Sequence, residues 1–364
     1  MAGGNTVAPP WWRDTRFWVR TTYTYAIAAA AGYAASRIGV PLPWMLGPFF
    51  VIGALSAAGT PLAYLPMGRE FAQLTVGLAV GLRFTPATLA ATLALMPAMI
   101  AATVFVMAYT LVAALIFKPM AKVGNVTAFF ATAAGGVADM AIIAKDKGGD
   151  AAPVAIVHAL RVSVTVALVP IIVVTFGAPG NALPPVAEDA SALIWLVGAF
   201  ALSYGAVQLL KLTPLPNPWL VAPMFAGIAI GASGVFTLAV PWTFIIIAQI
   251  ALGTWLGCRF RREILTSIPR VATSGIAVSI FMVLCAGAGA VALAATTTLP
   301  VTTAFLALAP AAVTEMAITA KIMHLDAEIV AAFHVMRIAI VCSTILAVYK
   351  IYNIIKGEPH GSRV

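Results

Sequence analysis

The chain carries one pattern twice. Pro43-Trp-Met-Leu-Gly-Pro48 returns as Pro218-Trp-Leu-Val-Ala-Pro223, and Gln73-x3-Gly77-x3-Gly81-x-Arg83-Phe84 returns as Gln249-x3-Gly253-x3-Gly257-x-Arg259-Phe260. Thr127-Ala-Phe129 returns as Thr303-Ala-Phe305, Asp139-Met140-Ala141 as Glu315-Met316-Ala317, and His158-x-x-Arg161 as His334-x-x-Arg337. The matches keep one order at an offset of about 176 residues, which marks a duplication. Internal repeats of this kind are common in secondary transporters. They divide the chain into a first repeat, 1–176, a Pro- and Gly-rich linker, 177–190, and a second repeat, 191–364.

What the repeats are made of restricts the fold further. Hydrophobic residues are 62% of the chain, charged residues only 9%, and the mean hydropathy is +1.01. That excludes an ordinary soluble domain and describes a polytopic, all-α membrane protein. Apolar segments lie near 17–38, 42–58, 70–84, 96–117, 126–145 and 151–176, and again near 191–211, 217–236, 242–258, 270–297, 301–321 and 327–352. They leave no room for a DNA-reading module, so the net charge of +9 belongs to cytoplasmic loops and no nucleic-acid partner is expected. Cys258, Cys285 and Cys342 have neither disulfide nor zinc spacing and read as small buried residues. Arg13, Arg16 and Arg20 lead into an apolar run too long for a cleaved signal, which reads as a first span.

The positive-inside rule selects among topologies. With all twelve segments crossing, the 19 Lys and Arg other than Arg161 and Arg337 divide 9 inside and 10 outside, which is no bias. If the fifth segment of each half dips in and returns on its own side, the division becomes 16 inside and 3 outside: Arg37, Arg83 and Lys321. Five crossings per half is odd, so the second repeat is inverted relative to the first. The expected fold is about ten transmembrane helices, two re-entrant hairpins and both termini in the cytoplasm. Gly135-Gly136 then sits at one hairpin tip, where glycine accepts positive φ and close approach, and Pro310 breaks the helix at the other. Non-helical backbone at membrane depth has to be buried in protein or line a polar cavity, and two tips meeting midway would build such a cavity.

Of the 12 acidic residues only Asp139 and Glu315 lie well inside apolar segments, and they are repeat equivalents. Arg161 and Arg337 are the matching cations. Arg161 lies roughly 15 Å into its span at 1.5 Å per residue, near the bilayer midplane. Two readings stand. In one, Asp139–Arg161 and Glu315–Arg337 are ion pairs that lock each hairpin to the next span, since an unpaired midplane charge is costly. In the other, the arginines hold an anionic substrate while a carboxylate carries a coupling proton or helps bind sodium. His158 and His334 sit one turn before their arginines and read as hydrogen-bonded packing residues, with a proton relay as the alternative. No metal-ligand spacing accompanies them. Gln73 and Gln249 precede Gly-x3-Gly registers, so interhelical hydrogen bonding is expected, with cavity lining as the alternative. Trp44 and Trp219 read as interfacial anchors, and residues 86–95 as a short interfacial lead-in.

The twice-repeated Pro-Trp…Gly/Ala-Pro segment, then Gly-Gly-x-x-Asp-Met and x-x-x-Arg, resembles the membrane AbrB family of bacteria over about 20–350. That family is unrelated to the soluble DNA-binding regulator of similar name. Its pattern has proline before the double glycine and usually Glu before Met. Here the first copy has Ala134 and Asp139, and the second keeps Pro310 and Glu315 but has Ala311-Ala312 for Gly-Gly. The family usually has Gln where His158 and His334 stand, which argues against a general His relay. It has been labelled a regulator of gene expression and an ammonia monooxygenase. A monooxygenase needs a metal site, and His158, His324, His334 and His360 form no ligand-like cluster in the sequence.

The expected function is therefore secondary transport of a small organic anion, coupled to protons or sodium, in the bacterial inner membrane. An elevator-like movement of a hairpin domain enters by analogy. The substrate and ion residues would come from Gly135, Gly136, Asp139, Arg161, Glu315, Arg337, His158, His334, Gln73 and Gln249. No cofactor, metal or enzymatic constellation is expected. A homodimer is a common arrangement for such carriers. The alternative is a non-transporting membrane sensor that affects gene expression indirectly.

Overall fold

The structure, a computed structural model, describes residues 14–176, 190–213, 217–234, 238–260 and 268–355. All regular structure among them is helical, as apolar segments in lipid require: a helix satisfies its own backbone groups. The first repeat holds α1 (Thr15–Arg37), α2 (Pro43–Ala57), α3 (Gly68–Gly81), α4 (Pro86–Ala94), α5 (Met96–Ala121), α6 (Asn125–Thr132), α7 (Val137–Asp146) and α8 (Ala151–Phe176). The second holds α9 (Ala190–Leu210), α10 (Pro218–Ala232), α11 (Trp242–Gly257), α12 (Pro269–Thr296), α13 (Val301–Leu308), α14 (Val313–Ile322) and α15 (Ala327–Ile355). The expected linker lies outside the described residues apart from Ala190, which opens α9.

The duplication extends to backbone conformation. Left-handed residues precede α2 and α10 at Leu42 (φ 47°) and Asn217 (φ 56°). They recur after the same helices at Gly59 and Gly234, and at the hairpin ends at Gly148 (φ 80°) and His324 (φ 56°). Glycine adopts this region freely; Leu42 and His324 adopt it at a cost, held by their surroundings.

Among the described residues four helices, α5, α8, α12 and α15, are long and apolar enough to cross a bilayer, or five if α3 and α4, bent by 97°, form one span. The shorter apolar helices α2, α10 and α11 have 15, 15 and 16 residues. They reach only about 22–24 Å against a core of about 30 Å. The expected ten crossings are thus not reached by length and composition alone.

The chain clusters into two units: Met1–Ala72 with Ile246–Leu265, and Gln73–Ile245 with Thr266–Val364. In each, short helices from opposite repeats meet through glycines. In unit one, a Cβ on Gly253 would lie 2.3 Å from the Met45 carbonyl oxygen. In unit two, Cβ atoms on Gly77 and Gly81 would lie 2.4 and 2.2 Å from the carbonyl oxygens of Leu220 and Met224. These contacts are backbone against backbone, so α3 approaches α10 as only small residues allow. In unit one, Trp44 lies against Gly32 of α1, where a Cβ would be 2.7 Å from its ring. In unit two, Trp219 has Lys211 Nζ 4.4 Å from its ring centre.

The fifth segment of each half breaks in the middle and doubles back. Thr127, at the start of α6, accepts a hydrogen bond from the backbone N–H of Asp150, beyond the end of α7, at 3.0 Å. Thr303, at the start of α13, donates to Asp326 beyond the end of α14, at 3.3 Å. Each segment ends beside its own beginning, so α6–α7 and α13–α14 are helical hairpins with half-helices of 8 and 10 residues.

Candidate functional site

Both hairpin tips, with α5, α8 and α15, belong to unit two. The backbone leaves α6 and α13 in the same extended conformation, Ala133 at φ −54°, ψ 143° and Ala309 at φ −55°, ψ 137°. It stays extended at Gly136 (φ −69°) and Ala312 (φ −78°). The expected need for positive φ at Gly135 and Gly136 is therefore corrected, because neither residue has it. Close approach is present: a Cβ at Gly135 would meet the Met140 side chain at 2.6 Å, and one at Gly136 would meet Asp139 Oδ2 at 2.6 Å.

A helix that ends away from water leaves carbonyls without donors. The two arginines supply them. Arg161 Nη1 donates to the Ala133 carbonyl at 2.6 Å and to Thr132 at 3.4 Å. Arg337 Nη1 donates to Ala309 and its Nη2 to Ala311, both at 2.9 Å. Each Nη2 also reaches the histidine one turn earlier, Arg161 to His158 Nδ1 at 3.2 Å and Arg337 to His334 Nδ1 at 2.7 Å. Guanidinium only donates, so Nδ1 accepts in both cases and the ring proton sits on Nε2. Nε2 of His158 then donates to the Phe130 carbonyl and Nε2 of His334 to Leu306, each at 2.9 Å. Each histidine is a neutral bridge between an arginine and the last turn of a half-helix. The negative helix end also compensates part of the cation's charge.

The ion pairs of the first of the two readings are not formed. Neither Arg161 nor Arg337 contacts a carboxylate among the described residues. Their physical alternative, carbonyl groups at the tips, is closer and needs the donors. Asp139 is exposed, whereas its counterpart Glu315 is buried at 4% exposure. The tips differ in the same sense: Gly135 is half-buried and Gly136 exposed, while Pro310 and Ala311 are buried. Arg161 and Arg337 are 6% and 5% exposed, and Nε of each lacks a hydrogen-bond partner. The two cations are close enough to act on each other and on Tyr109.

Tyr109 is a further residue of this site, and its one signal in the sequence is a lone tyrosine in the middle of an apolar run. Its hydroxyl donates to the Leu308 carbonyl of the second hairpin at 3.0 Å. The next carbonyl along α5, that of Thr110, accepts from Thr132 of the first hairpin at 3.1 Å. Adjacent residues of α5 thus hold both hairpins. Beside the first tip a void of ≈ 10 Å³, lined by Met107, Thr110, Phe129, Ala133 and Ala134 among others, has room for about one water.

The glutamines separate. Gln73 (4% exposed) belongs to unit two and Gln249 (1%) to unit one. Neither amide atom of Gln249 has a partner among the described residues, so its expected interhelical bond is not made. No metal-binding group of three or more His, Cys, Asp or Glu occurs among the described residues.

An uncharacterized protein of Bacillus subtilis (strain 168), YhjN, is 24% identical over 362 residues, covering 92% of this chain and 93% of the relative. The family described as "Transition state regulatory protein AbrB" matches residues 44–353, which span both repeats and both hairpins. This helical, membrane-like chain belongs to the AbrB family.

Proposed function

We propose that the protein is a secondary active transporter of a small organic anion in the bacterial inner membrane, coupled to protons or sodium. The observation that carries this reading is the pair of buried guanidinium groups at the hairpin tips. Each has an unpartnered Nε–H and no carboxylate counter-ion among the described residues. Two like charges at depth are costly alone and become favourable around an anion. In this reading the repeats are inverted, the hairpins are re-entrant and ten segments cross, with both termini cytoplasmic. The returning hairpins and the 16-to-3 division of Lys and Arg support it. The void beside the first tip holds about one water, so in this reading a larger substrate enters when the hairpin moves. The unequal exposure of Asp139 and Glu315 suits two faces of one carrier cycle, with the carboxylates as candidate coupling groups. An elevator-type movement and a homodimer fit this scheme. No enzymatic step is assigned.

One observation favours the second reading, a non-transporting sensor: both terminal nitrogens of each arginine are committed to backbone or histidine. Charge displacement on a supported membrane separates the two. Purified protein is screened with small carboxylates, with and without sodium and a pH step, beside Asp139→Asn/Glu315→Gln. A wild-type current lost in the folded variant supports transport, and its ion dependence names the coupling. No flux for any carboxylate, by current and by isotope exchange, together with full tolerance of the variant, favours the sensor.

A further inference from the structure

Unit one contains a cavity that the hairpin site does not use. It measures ≈ 720 Å³ and is lined by Phe17 and Arg20 of α1, Ser56 of α2, the connection 59–64 with Pro66, and Cys258. Its wall is tied to α1: the Tyr23 hydroxyl donates to the Pro61 carbonyl, and the Ala63 N–H donates to Thr24 Oγ1 at 3.3 Å. In the same unit, the guanidinium groups of Arg69 and Arg259 stand over one indole, 4.6 and 4.0 Å from the ring centre of Trp255. Trp255 precedes the lining residue Cys258 by one turn, and Arg69 follows the lining residue Pro66 by three residues, so the stack lies within a turn of the cavity wall without lining it. Arg20 and Arg69 form no ion pair with a described residue.

Arg20 on the wall and Arg69 near it bring two cations to one polar cavity, and their mutual repulsion is relieved when an anion occupies it. The surroundings indicate which kind. Tyr64 lines the cavity and is 40% exposed, and its neighbours in the chain, Leu65 and Met67, are 37% and 55% exposed. Trp18, next to Phe17, is 42% exposed. Apolar and aromatic side chains beside a cationic pocket are what a lipid meets at the membrane interface. We propose that this cavity seats the phosphate of an anionic lipid headgroup, with Arg20 and Arg69 as counter-ions and the exposed apolar rim against its acyl chains. A soluble phosphate offers the same charge but leaves that rim bare. The inference needs only a bilayer around the chain and is independent of transport.

Native mass spectrometry of the full chain in a nonionic detergent tests it, with phosphatidylglycerol, phosphatidylcholine and inorganic phosphate as separate additions. One phosphatidylglycerol is expected to be retained, in preference to the other two. Arg20→Gln and Arg69→Gln should each weaken retention about fivefold, the effect of one cation near an anionic headgroup. Equal retention of the neutral lipid, or unchanged retention in both variants, overturns the proposal. Phosphate competing as well as lipid overturns the lipid assignment in favour of a soluble anion. If Arg69→Gln fails to fold, exposed Arg20 decides alone, and unchanged retention in Arg20→Gln counts against the site.

Discussion

Arg161 and Arg337 cap broken helices, and their replacement should therefore cost stability as well as any activity. Lysine keeps the charge but cannot reach two carbonyls and a histidine together. Arg337→Lys is expected to lose about 1–3 kcal/mol, the cost of leaving buried acceptors unmet. Arg161→Lys should lose less, because two of its three contacts are already long, at 3.4 and 3.2 Å. Thermal unfolding in detergent measures both. The histidines predict a second contrast. Glutamine can donate to the Leu306 carbonyl and accept from Arg337, as His334 does, so His334→Gln should stay near wild type and His334→Leu should not. A proton relay at His334 would instead leave the Gln variant stable and inactive. The identity and equivalence of these residues were legible in the sequence, but their partners were not. A carbonyl at a helix break has no residue letter, whereas Asp139 and Glu315 were visible and drew the pairing to themselves.

Glycine contacts govern how closely elements pack, and they separate into tight and empty ones. An added methyl at Gly77 or Gly81 meets main-chain oxygen within 2.4 Å, and a main chain in a helix pair cannot step aside as a side chain can. Gly77→Ala and Gly81→Ala should each cost about 3 kcal/mol or prevent folding, at the upper end of overpacking effects. Gly198→Ala and Gly205→Ala on α9 meet nothing within 4 Å and should be neutral or slightly stabilising. Comparing the four by thermal unfolding in one detergent checks the register of α3 on α10. The Gly-x3-Gly spacing made close packing legible, though not the exchange by which α3 meets a helix of the other repeat. The segment list was legible for the same reason that hydropathy works in lipid. Where each fifth segment breaks was visible at Gly135-Gly136 and Pro310. The shared extended backbone of the tips was hidden, since Ala312 adopts it as readily as Gly136.

For the molecule as a whole, orientation in the membrane decides between readings. The hairpin feet are where to probe it. Gly148 and His324 occupy the same left-handed position in the two copies, one residue from exposed Lys147 in the first and itself exposed in the second. If the repeats are inverted, these equivalent points lie on opposite sides of the bilayer. If all twelve segments cross, the two copies run in parallel and the points lie on one side. Cys258, Cys285 and Cys342 are first changed to alanine, which removes the native thiols. Lys147→Cys and His324→Cys are then made separately and treated in whole cells with an impermeant maleimide. Position 324 is expected to label from outside and position 147 only after the membrane is opened. Labelling of both from one side would remove the inverted repeat and the pairing of opposed hairpin tips that depends on it. The cation count points the same way, because Lys145 and Lys147 join the inside set, and leave Lys321 outside, only when the fifth segments return. Arg83, another of the three, is bonded to Glu328 at 3.1 Å, with Lys321 within electrostatic reach of both. Arg83 follows α3 and Glu328 opens α15, so segments expected to reach the same side of the bilayer meet in one contact. An arrangement that put them on opposite sides would have to break it.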